Sequence, residues 1–403
     1  MAKRILFFTL TYEPFIGGSE VSVKEVTNRI SRDEYAFDMI TLRFDKKLPR
    51  FERVGNIDVF RVGFTKENPH IADFKKFPLV FNKYLYPFIS LIRATVLHRR
   101  KPYDAVMSTM TSYATFGALF FKLLHPSVPF IIRSDDGDPF DHYRKKTKIL
   151  GPLFSWIFTK ADFAVAVSSY LVGEIRKMGY RGKVVIVPNA VNVKHFSQSY
   201  SQEEIEAVKN KLEKKDGDRF LITTSRLVKK NATDDVIKAM KFLPNNIFYL
   251  IYGIGPDMDM LKALAKSEGV EDRVRFMGQL PNSEIPKYLK ASDIFIRPSL
   301  SEGFGISFLE AMAAEIPVIA TQEGGISDYL FDSEKNPDKK PTGYAVNARD
   351  PQDIARQVKH CLEDNTLRTQ IITEAKRMAI EKYDWDLIAK QMKEEVFDAV
   401  LLQ

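Results

Sequence analysis

Along this chain, short runs of apolar β-branched and aromatic residues alternate with longer stretches in which apolar residues recur at helical spacing. Glycine-containing turns separate many of these pairs. Because strands that alternate with amphipathic helices are typical of parallel sheets, the pattern predicts an α/β fold. The predicted strands span residues 4–10, 37–42, 57–62, 105–108, 130–133 and 163–167, and then 220–224, 248–252, 274–277, 294–297 and 318–320.

The strands form two series, which predicts two domains. An apolar segment ending at Pro188 closes the first series, and a polar stretch over 197–218 precedes the second. A length of 403 residues suits two domains of ordinary size. We therefore expect domains over 1–195 and 196–380, followed by a terminal amphipathic helix over 381–403.

Charge is distributed unevenly between the halves. The net charge is +8, but residues 1–200 contain 31 Lys and Arg against 18 Asp and Glu, a balance of +13, and the rest of the chain is at −5. A basic half indicates an anionic partner such as nucleic acid, a membrane surface or a phosphorylated substrate, or else a solvated face with no partner. No nucleic-acid-binding module is recognisable, so no nucleic-acid partner is expected.

Several features of the sequence indicate the cellular compartment in which the protein is expected. The single cysteine, Cys361, excludes an intrachain disulfide and a multi-cysteine metal site, which fits a reducing compartment. The apolar run at 5–8 is too short for a signal-peptide core, and the window 79–97 contains Lys83 and Arg93. The expectation is a cytoplasmic protein without a transmembrane segment.

The most informative segment runs from Arg297 to Ala311. A strand ends at Arg297, glycines follow, and a helix is predicted from residue 306, so free backbone N–H groups would form an anion-binding site. Glu310, one turn into the helix, can lean back toward that site, and Glu302 enters the loop from the other side. Carboxylates there suit the hydroxyl groups of a ribose and a sugar. The alternative is a structural turn with two surface glutamates.

Two further turns could bind an anion. Arg226 and Lys230 follow a predicted strand, and ligands of open α/β sheets bind at the carboxyl ends of strands, although a solvated helix start is the simpler explanation. Gly17 and Gly18 follow the first strand and open a helix, but the segment lacks the spacing of a P-loop or a dinucleotide fingerprint. A plain strand-to-helix turn accounts for these glycines equally well.

Five short motifs follow one another in a specific order, over almost the whole chain and most strongly over 184–330. They are Pro14-x-x-Gly17-Gly18, Pro188-Asn-Ala-Val-Asn192, Ser225-Arg-Leu-Val-Lys-Lys, Glu302-Gly-Phe-Gly with Glu310 after seven intervening residues, and Glu323-Gly-Gly-Ile326. In this order they resemble glycosyltransferase family 4, the retaining enzymes of GT-B architecture.

The resemblance implies two facing Rossmann-like domains with parallel sheets and a last helix that crosses back to the first domain. It implies a nucleotide-sugar in the C-terminal domain, an acceptor over the N-terminal domain, and no metal. By position, Glu310 would bind the ribose, and Glu302 would lie by the donor sugar. Arg226 and Lys230 would bind the diphosphate, which Gly17 and Gly18 would approach from the other domain. Sugar and phosphate would be anchored by backbone groups of Gly303, Phe304, Gly305 and Ile306.

The chain departs from the family pattern at two positions. The frequent Lys five residues after the Arg is Asn231 here, which leaves Lys230 as a shifted substitute. Where many members place a His near the reacting carbon, this chain has Asp135 and Asp136. A carboxylate there could stabilise an oxocarbenium-like centre or bind acceptor hydroxyls, and we favour Asp135 over Asp136. A capping or turn role for 134–137 is the alternative.

The predicted function is retaining, metal-independent transfer of a sugar from a UDP- or GDP-sugar to a hydroxyl of a glycan or lipid-linked acceptor, in cell-surface polysaccharide or glycolipid synthesis. A nucleotide-sugar epimerase of similar architecture and a non-catalytic nucleotide-sugar-binding protein are the alternatives. The aromatic and basic stretch 74–101 suits the interface of an anionic membrane, or ordinary packing of helices on the first sheet. The first explanation places the protein on the inner face of the cell membrane.

Overall fold

The computed structural model describes residues 2–15, 17–69, 73–74, 76–109, 113–137 and 151–401. The chain divides into two compact units, one formed by Met1–Asn189 with Trp385–Gln403 and the other by Ala190–Asp384. These limits differ by a few residues from the predicted ones at 195 and 380. The reason is local pairing, because the amide of Val191 donates to the carbonyl of Tyr383 over 2.8 Å and so places both segments in the second unit.

Among the described residues, the first unit contains one sheet of eight strands in the order β3-β4-β2-β1-β5-β6-β7-β8. All neighbours are parallel except β3 and β4. The strands are β1 (Lys3–Phe8), β2 (Tyr35–Leu42), β3 (Phe51–Val54), β4 (Ile57–Val62), β5 (Ala105–Thr109), β6 (Phe130–Ser134), β7 (Phe163–Ala166) and β8 (Val184–Ile186).

The sheet of the second unit is parallel throughout its described strands, in the order β11-β10-β9-β12-β13-β14. The strands are β9 (Arg219–Thr224), β10 (Ile247–Tyr252), β11 (Val274–Gly278), β12 (Ile294–Arg297), β13 (Val318–Ala320) and β14 (Tyr344–Ala345). The predicted α/β class with two Rossmann-like parallel-sheet units is confirmed.

The helices connect these strands. In the first unit they are α1 (Gly18–Asn28), α2 (Asn82–Arg100), α3 (Tyr113–Leu124), α4 (Gly151–Thr159) and α5 (Ser169–Lys177). In the second unit they are α6 (Val193–Phe196), α7 (Gln202–Lys211), α8 (Thr233–Ala239), α9 (Met258–Ser267), α10 (Ile285–Lys290), α11 (Ile306–Ala313), α12 (Pro351–Glu363) and α13 (Asn365–Lys382). The chain ends with α14 (Trp385–Met392), a π-helical segment (Lys393–Asp398) and α15 (Ala399–Leu401), which belong to the first unit.

Three strands are absent from the predicted list: β8 lies in the apolar segment that ends at Pro188, and the other two lie in no predicted apolar run. The antiparallel β3 lies at a sheet edge, where Phe51 is exposed and every second residue is turned to solvent, so it lacks an apolar run. The strand β14 has two residues, too few for any periodicity. Within the part of the chain that the structure describes, no helix combines the length and apolar character needed to cross a membrane.

Each sheet has a point where the strand order reverses. In the first sheet β1 lies between β2 and β5, and in the second β9 lies between β10 and β12. Helices that follow strands on the two sides of such a point cover opposite faces, which leaves a crevice at the carboxyl ends of the strands. The structure therefore places the loops after β1, β9 and β12 at the positions where doubly wound folds bind ligands.

Candidate active site

In the second unit, the loops after β9 and β12 lie against each other. The two strands are hydrogen-bonded neighbours, and beyond their ends the amide of Leu300 donates to the carbonyl of Lys230 over 2.7 Å. This contact joins the predicted cationic turn with Arg226 and Lys230 to the predicted loop with Glu302. The two features, distant in sequence, meet at the reversal point of the sheet.

Arg297 is the centre of this site. It ends β12 and is buried, and its Nη2 donates to Glu302 Oε2 over 2.8 Å while its Nη1 donates to Ser307 Oγ over 2.9 Å. The guanidinium carbon lies 4.1 Å from the centroid of the Phe308 ring, a cation–π distance. One buried cation thus binds the loop to the first turn of α11. Within the described residues Oε1 of Glu302 has no hydrogen-bond partner, so it can accept a further hydrogen bond.

Glycines let the backbone approach this loop. The amide of Gly325 donates to the carbonyl of Glu302 over 2.9 Å, and Gly324 beside it has φ +63°. A Cβ atom at Gly324 would lie 2.1 Å from the Glu302 carbonyl oxygen, which forbids any side chain. Gly305, the N-cap of α11, also has a positive φ of +88°, and a Cβ there would meet the Phe308 ring at 2.5 Å.

Glu310 lies one turn into α11 and is half-buried. Burial raises the pKa of its carboxyl to about 7, and the charge of Arg297 acts in the opposite direction. Among the residues that the structure describes, none forms a hydrogen bond with this carboxylate. A carboxyl group without partners close to a helix N-terminus is suited to bind hydroxyl groups of a ligand.

The predicted cations occupy the neighbouring turn. Arg226 is exposed and Lys230 is half-buried. Asn231, which stands where the family often has Lys, is buried, and its Nδ2 donates to the carbonyl of Arg226 over 2.6 Å. Asn231 therefore shapes the turn that presents Arg226, and Lys230 is the cation next to it.

The remaining predicted backbone groups lie at the start of α11. Gly303 and Phe304 are buried, and the carbonyl of Phe304 accepts a hydrogen bond from the hydroxyl of Tyr329. Ile306 is the first residue of α11, so its N–H group belongs to the first turn, which has no intrahelical acceptors. The predicted loop at 303–306 is therefore a helix N-terminus with its dipole directed at the site.

Buried hydroxyl groups without partners mark the same place. Thr224 and Ser225 follow one another at the end of β9, and Ser299 lies just after β12. Their hydroxyl oxygens are buried and have no hydrogen-bond partner in the described part of the chain. Since buried polar groups are almost always satisfied, these orphans indicate a ligand or water at the reversal point.

In the first unit, the glycine turn precedes α1. Gly17 is the N-cap and Gly18 the first residue of the helix, and the amide of Gly17 donates to Glu20 Oε2 over 2.9 Å. Asp135 follows β6 and accepts hydrogen bonds on both of its oxygens, and Asp136 is half-buried in the same turn. A direct catalytic role for Asp135 stays a prediction.

Sequence reasoning missed several residues of these sites. The sequence predicts no role for Arg297 beyond the end of a strand, and its buried ion pair appears only in the tertiary structure. Tyr329 lies outside the predicted segments, and the motif Glu323-Gly-Gly-Ile326 assigned Gly324 no role. The tertiary structure brings these two residues to Phe304 and Glu302. Over the described residues, no group of three or more His, Cys, Asp or Glu side chains could hold a metal ion.

Two family models match the chain. "Glycosyltransferase Family 4" matches residues 16–195, and "Glycosyl transferases group 1" matches residues 204–378. Together they cover most of both units. The chain belongs to this family of glycosyltransferases, and its two-unit α/β architecture is of the GT-B type.

Individual proteins agree with this assignment. An uncharacterised glycosyltransferase of Methanocaldococcus jannaschii is 27% identical over 394 residues, which cover 96% of each chain. An alpha-monoglucosyldiacylglycerol synthase of Streptococcus pneumoniae is 24% identical over 82% of this chain and 73% of its own. The crystal structure of Anabaena HepE in complex with UDP-glucose matches the fold with a TM-score of 0.76 at 19% identity, over 98% of this chain and 99% of that chain.

Proposed function

We propose that the protein transfers a sugar from a nucleoside-diphosphate sugar, a UDP- or GDP-sugar, to an acceptor hydroxyl with retention of configuration. The observation that carries the donor half is the cluster at the reversal point of the second sheet. There a cationic turn and a helix N-terminus come together with Glu310 and with buried hydroxyls, none of which has a hydrogen-bond partner among the described residues. The similar fold of HepE, whose complex contains UDP-glucose, supports a donor of this class.

Each part of the cluster suits one part of the donor. Arg226 and Lys230, with the N-terminus of α11, supply positive charge for a diphosphate. Glu310 accepts hydrogen bonds from the ribose, and Oε1 of Glu302 accepts them from the donor sugar. Backbone groups of Gly303, Phe304, Gly305 and Ile306 contact phosphate and sugar, and the backbone at Gly17 and Gly18 is a further contact of the donor.

The chemistry exchanges one bond for another at the anomeric carbon. The bond from C1 to the phosphate oxygen breaks, a bond from C1 to the acceptor oxygen forms on the same face, and the departing diphosphate takes the acceptor proton. Arg226 and Lys230 stabilise the negative charge on the leaving group. Because these side chains and the helix dipole supply positive charge, we propose that the transfer needs no divalent metal.

The part of the proposal that concerns the acceptor rests on an exposed apolar face of α2. One side of the helix packs on the first unit through residues such as Tyr86 and Ala94. The opposite side, together with the segment that precedes it, carries large apolar side chains spaced three or four residues apart, and Phe77 and Ile92 are 82% and 66% exposed. This surface, the α2 stripe, consists of Phe77, Phe81, Leu85, Phe88, Ile92 and Val96.

The charge around the α2 stripe favours an anionic membrane as its partner. Residues 74–101 contain seven Lys and Arg and no Asp or Glu. A second copy of this face would be repelled by its like charge, whereas anionic lipid attracts it. Since side chains of Phe and Ile enter the lipid interface, we propose a glycan or lipid-linked acceptor at the inner face of the cell membrane. The name of the Streptococcus pneumoniae relative, alpha-monoglucosyldiacylglycerol synthase, supports a lipid acceptor.

A panel of UDP- and GDP-sugars, tested first for thermal stabilisation and then for transfer in excess EDTA, examines the proposal. A bound donor raises the unfolding temperature, because ligand binding adds RT ln(1 + [L]/Kd) to the stability. We expect one donor class to stabilise the protein and its sugar to be transferred, with retained configuration, in EDTA. Conversion of the donor without an acceptor would indicate an epimerase, and binding without turnover a non-catalytic protein. Abolition by EDTA with rescue by magnesium or manganese would overturn metal independence.

A further inference from the structure

The first turn of α1 is hydrogen-bonded to the end of β6 through a carboxylate. Ser19 Oγ donates to Asp135 Oδ2 over 2.7 Å, and Arg133 Nε donates to Asp135 Oδ1 over 2.8 Å. The Asp135 side chain is only 4% exposed. Both oxygens of this carboxylate are therefore engaged by partners in the first unit.

Arg133 makes a second connection to the same helix. Its Nη2 donates to Ser22 Oγ over 2.7 Å and to Asn189 Oδ1 over 2.9 Å. Ser19 and Ser22 are three residues apart and so lie on one face of α1. The buried guanidinium thus binds this face at two points, directly at Ser22 and through Asp135 at Ser19. The network joins α1 to the ends of β6 and β8.

The glycine turn that precedes α1 has no side chains of its own to restrain it. Glu20, which is buried, accepts from the Gly17 amide over 2.9 Å and from the Thr11 hydroxyl over 2.5 Å. This contact restrains the turn from the side of the loop. The Ser19–Asp135 hydrogen bond restrains it from the side of the sheet, one residue after Gly18.

We propose that Asp135 is a positioning residue, which acts through Ser19 to fix the first turn of α1 and with it the backbone of Gly17 and Gly18. The inference rests on the proposed function only in that the glycine turn binds the donor. The physical reason is the pairing of Asp135: a carboxylate with both oxygens occupied, one by a buried guanidinium, presents little unpaired negative charge to a reacting carbon. Asp135 therefore orients α1 through its hydrogen bond with Ser19.

The variant Ser19→Ala separates the two roles, because it removes the link and leaves the Asp135–Arg133 pair intact. We expect kcat/KM for the donor to fall about tenfold or more, the size of one charge-assisted hydrogen bond. Ser19→Thr keeps the hydroxyl and should restore most of the activity. In an Asp135→Asn background, Ser19→Ala should add little further loss, because the link is already altered.

The matched control is Thr27→Val on the same helix, since the Thr27 hydroxyl donates only to the helix carbonyls of Val23 and Lys24. A second readout is independent of transfer: amide hydrogen exchange over 11–28 should accelerate in Ser19→Ala and stay unchanged in Thr27→Val. This readout remains valid if the wild type transfers no sugar, which would refute the proposed function alone. The positioning role would be overturned if Ser19→Ala kept the wild-type rate of amide hydrogen exchange and the wild-type kcat/KM while Asp135→Asn lost much of its kcat. That result would assign Asp135 to the reacting atoms.

Discussion

The guanidinium of Arg297 donates to the carboxylate of Glu302 over 2.8 Å, and the same charge lowers the pKa of Glu310 against the effect of burial. One buried cation thus serves both carboxylates that are proposed to bind the donor. Such a pair contributes little net stability while it is intact, but it is costly to break, because a buried charge without a partner is strongly disfavoured. The pair therefore links the stability of the second unit to the geometry of its site.

Replacing Arg297 should destabilise the protein. In Arg297→Met, Glu302 loses its buried partner, and we expect the free energy of unfolding to fall by about 3–5 kcal/mol. Chemical denaturation measures this change. The double variant Arg297→Met/Glu302→Gln should recover part of the loss. The control Arg356→Met breaks a half-exposed ion pair with Asp353 and should cost no more than about 1 kcal/mol. Equal effects in both single variants would contradict the special role of Arg297.

The raised pKa of Glu310 predicts a pH dependence of stability with a definite sign. Its carboxyl has a pKa of about 7 in the folded state against an ordinary 4.5, so the folded state binds more protons between these values. Stability from this group should therefore be lost as pH rises from about 4.5 to 7, by about 3 kcal/mol at most. The variant Glu310→Gln should lack this part of the pH profile in denaturation experiments, and a parallel profile in both proteins would contradict the assignment.

Ligand binding at Glu310 should show the opposite trend. Ribose hydroxyls donate to the ionised carboxylate, so nucleotide-sugar affinity should rise as pH increases through about 7 in the wild type and remain flat in Glu310→Gln. Calorimetry at several pH values measures this difference. A 2′-deoxy or 3′-deoxy nucleotide-sugar should bind more weakly than its parent, and equal binding would show that Glu310 does not contact the ribose.

Arg226 should contribute to diphosphate binding. It is exposed at the carboxyl end of β9, and the variant Arg226→Ala removes a charge-assisted contact of about 1.5–3 kcal/mol. The dissociation constant of the nucleoside diphosphate should rise tenfold or more in calorimetry. Arg219 begins the same strand at its opposite end, so Arg219→Ala is the matched control and should bind normally. Unchanged affinity in Arg226→Ala would remove Arg226 from the site.

The α2 stripe should attach the protein to anionic vesicles. Each basic residue near such a surface contributes about 1 kcal/mol and is screened by salt, so co-sedimentation should exceed that with neutral vesicles and fall as salt is added. Phe88→Ser/Ile92→Ser removes two exposed apolar side chains and should weaken vesicle binding without loss of thermal stability. Ile380→Ser, on the exposed side of α13, is the control. No vesicle binding, with full transfer to a water-soluble sugar, would leave the basic half as a solvated face.

Local patterns in the sequence were sufficient for the class of fold. Every predicted strand is present, because a buried parallel strand is an apolar run and its chemistry is visible in a few consecutive residues. The motif segments with Gly17, Arg226, Glu302 and Glu310 could also be located, because each is a short run of consecutive residues. Each segment follows a strand of its sheet, on the side where the ligand-binding loops of α/β sheets lie.

Relations between distant segments were decided by the tertiary structure. Ser19 and Asp135 are 116 residues apart, and nothing in either local pattern predicts that they share a hydrogen bond. The strand order that sets β9 beside β12 likewise comes from pairing across the sheet. The α2 stripe is the plainest case: apolar residues occur on two sides of this helix, and only packing on the first unit determines which side is buried and which remains exposed.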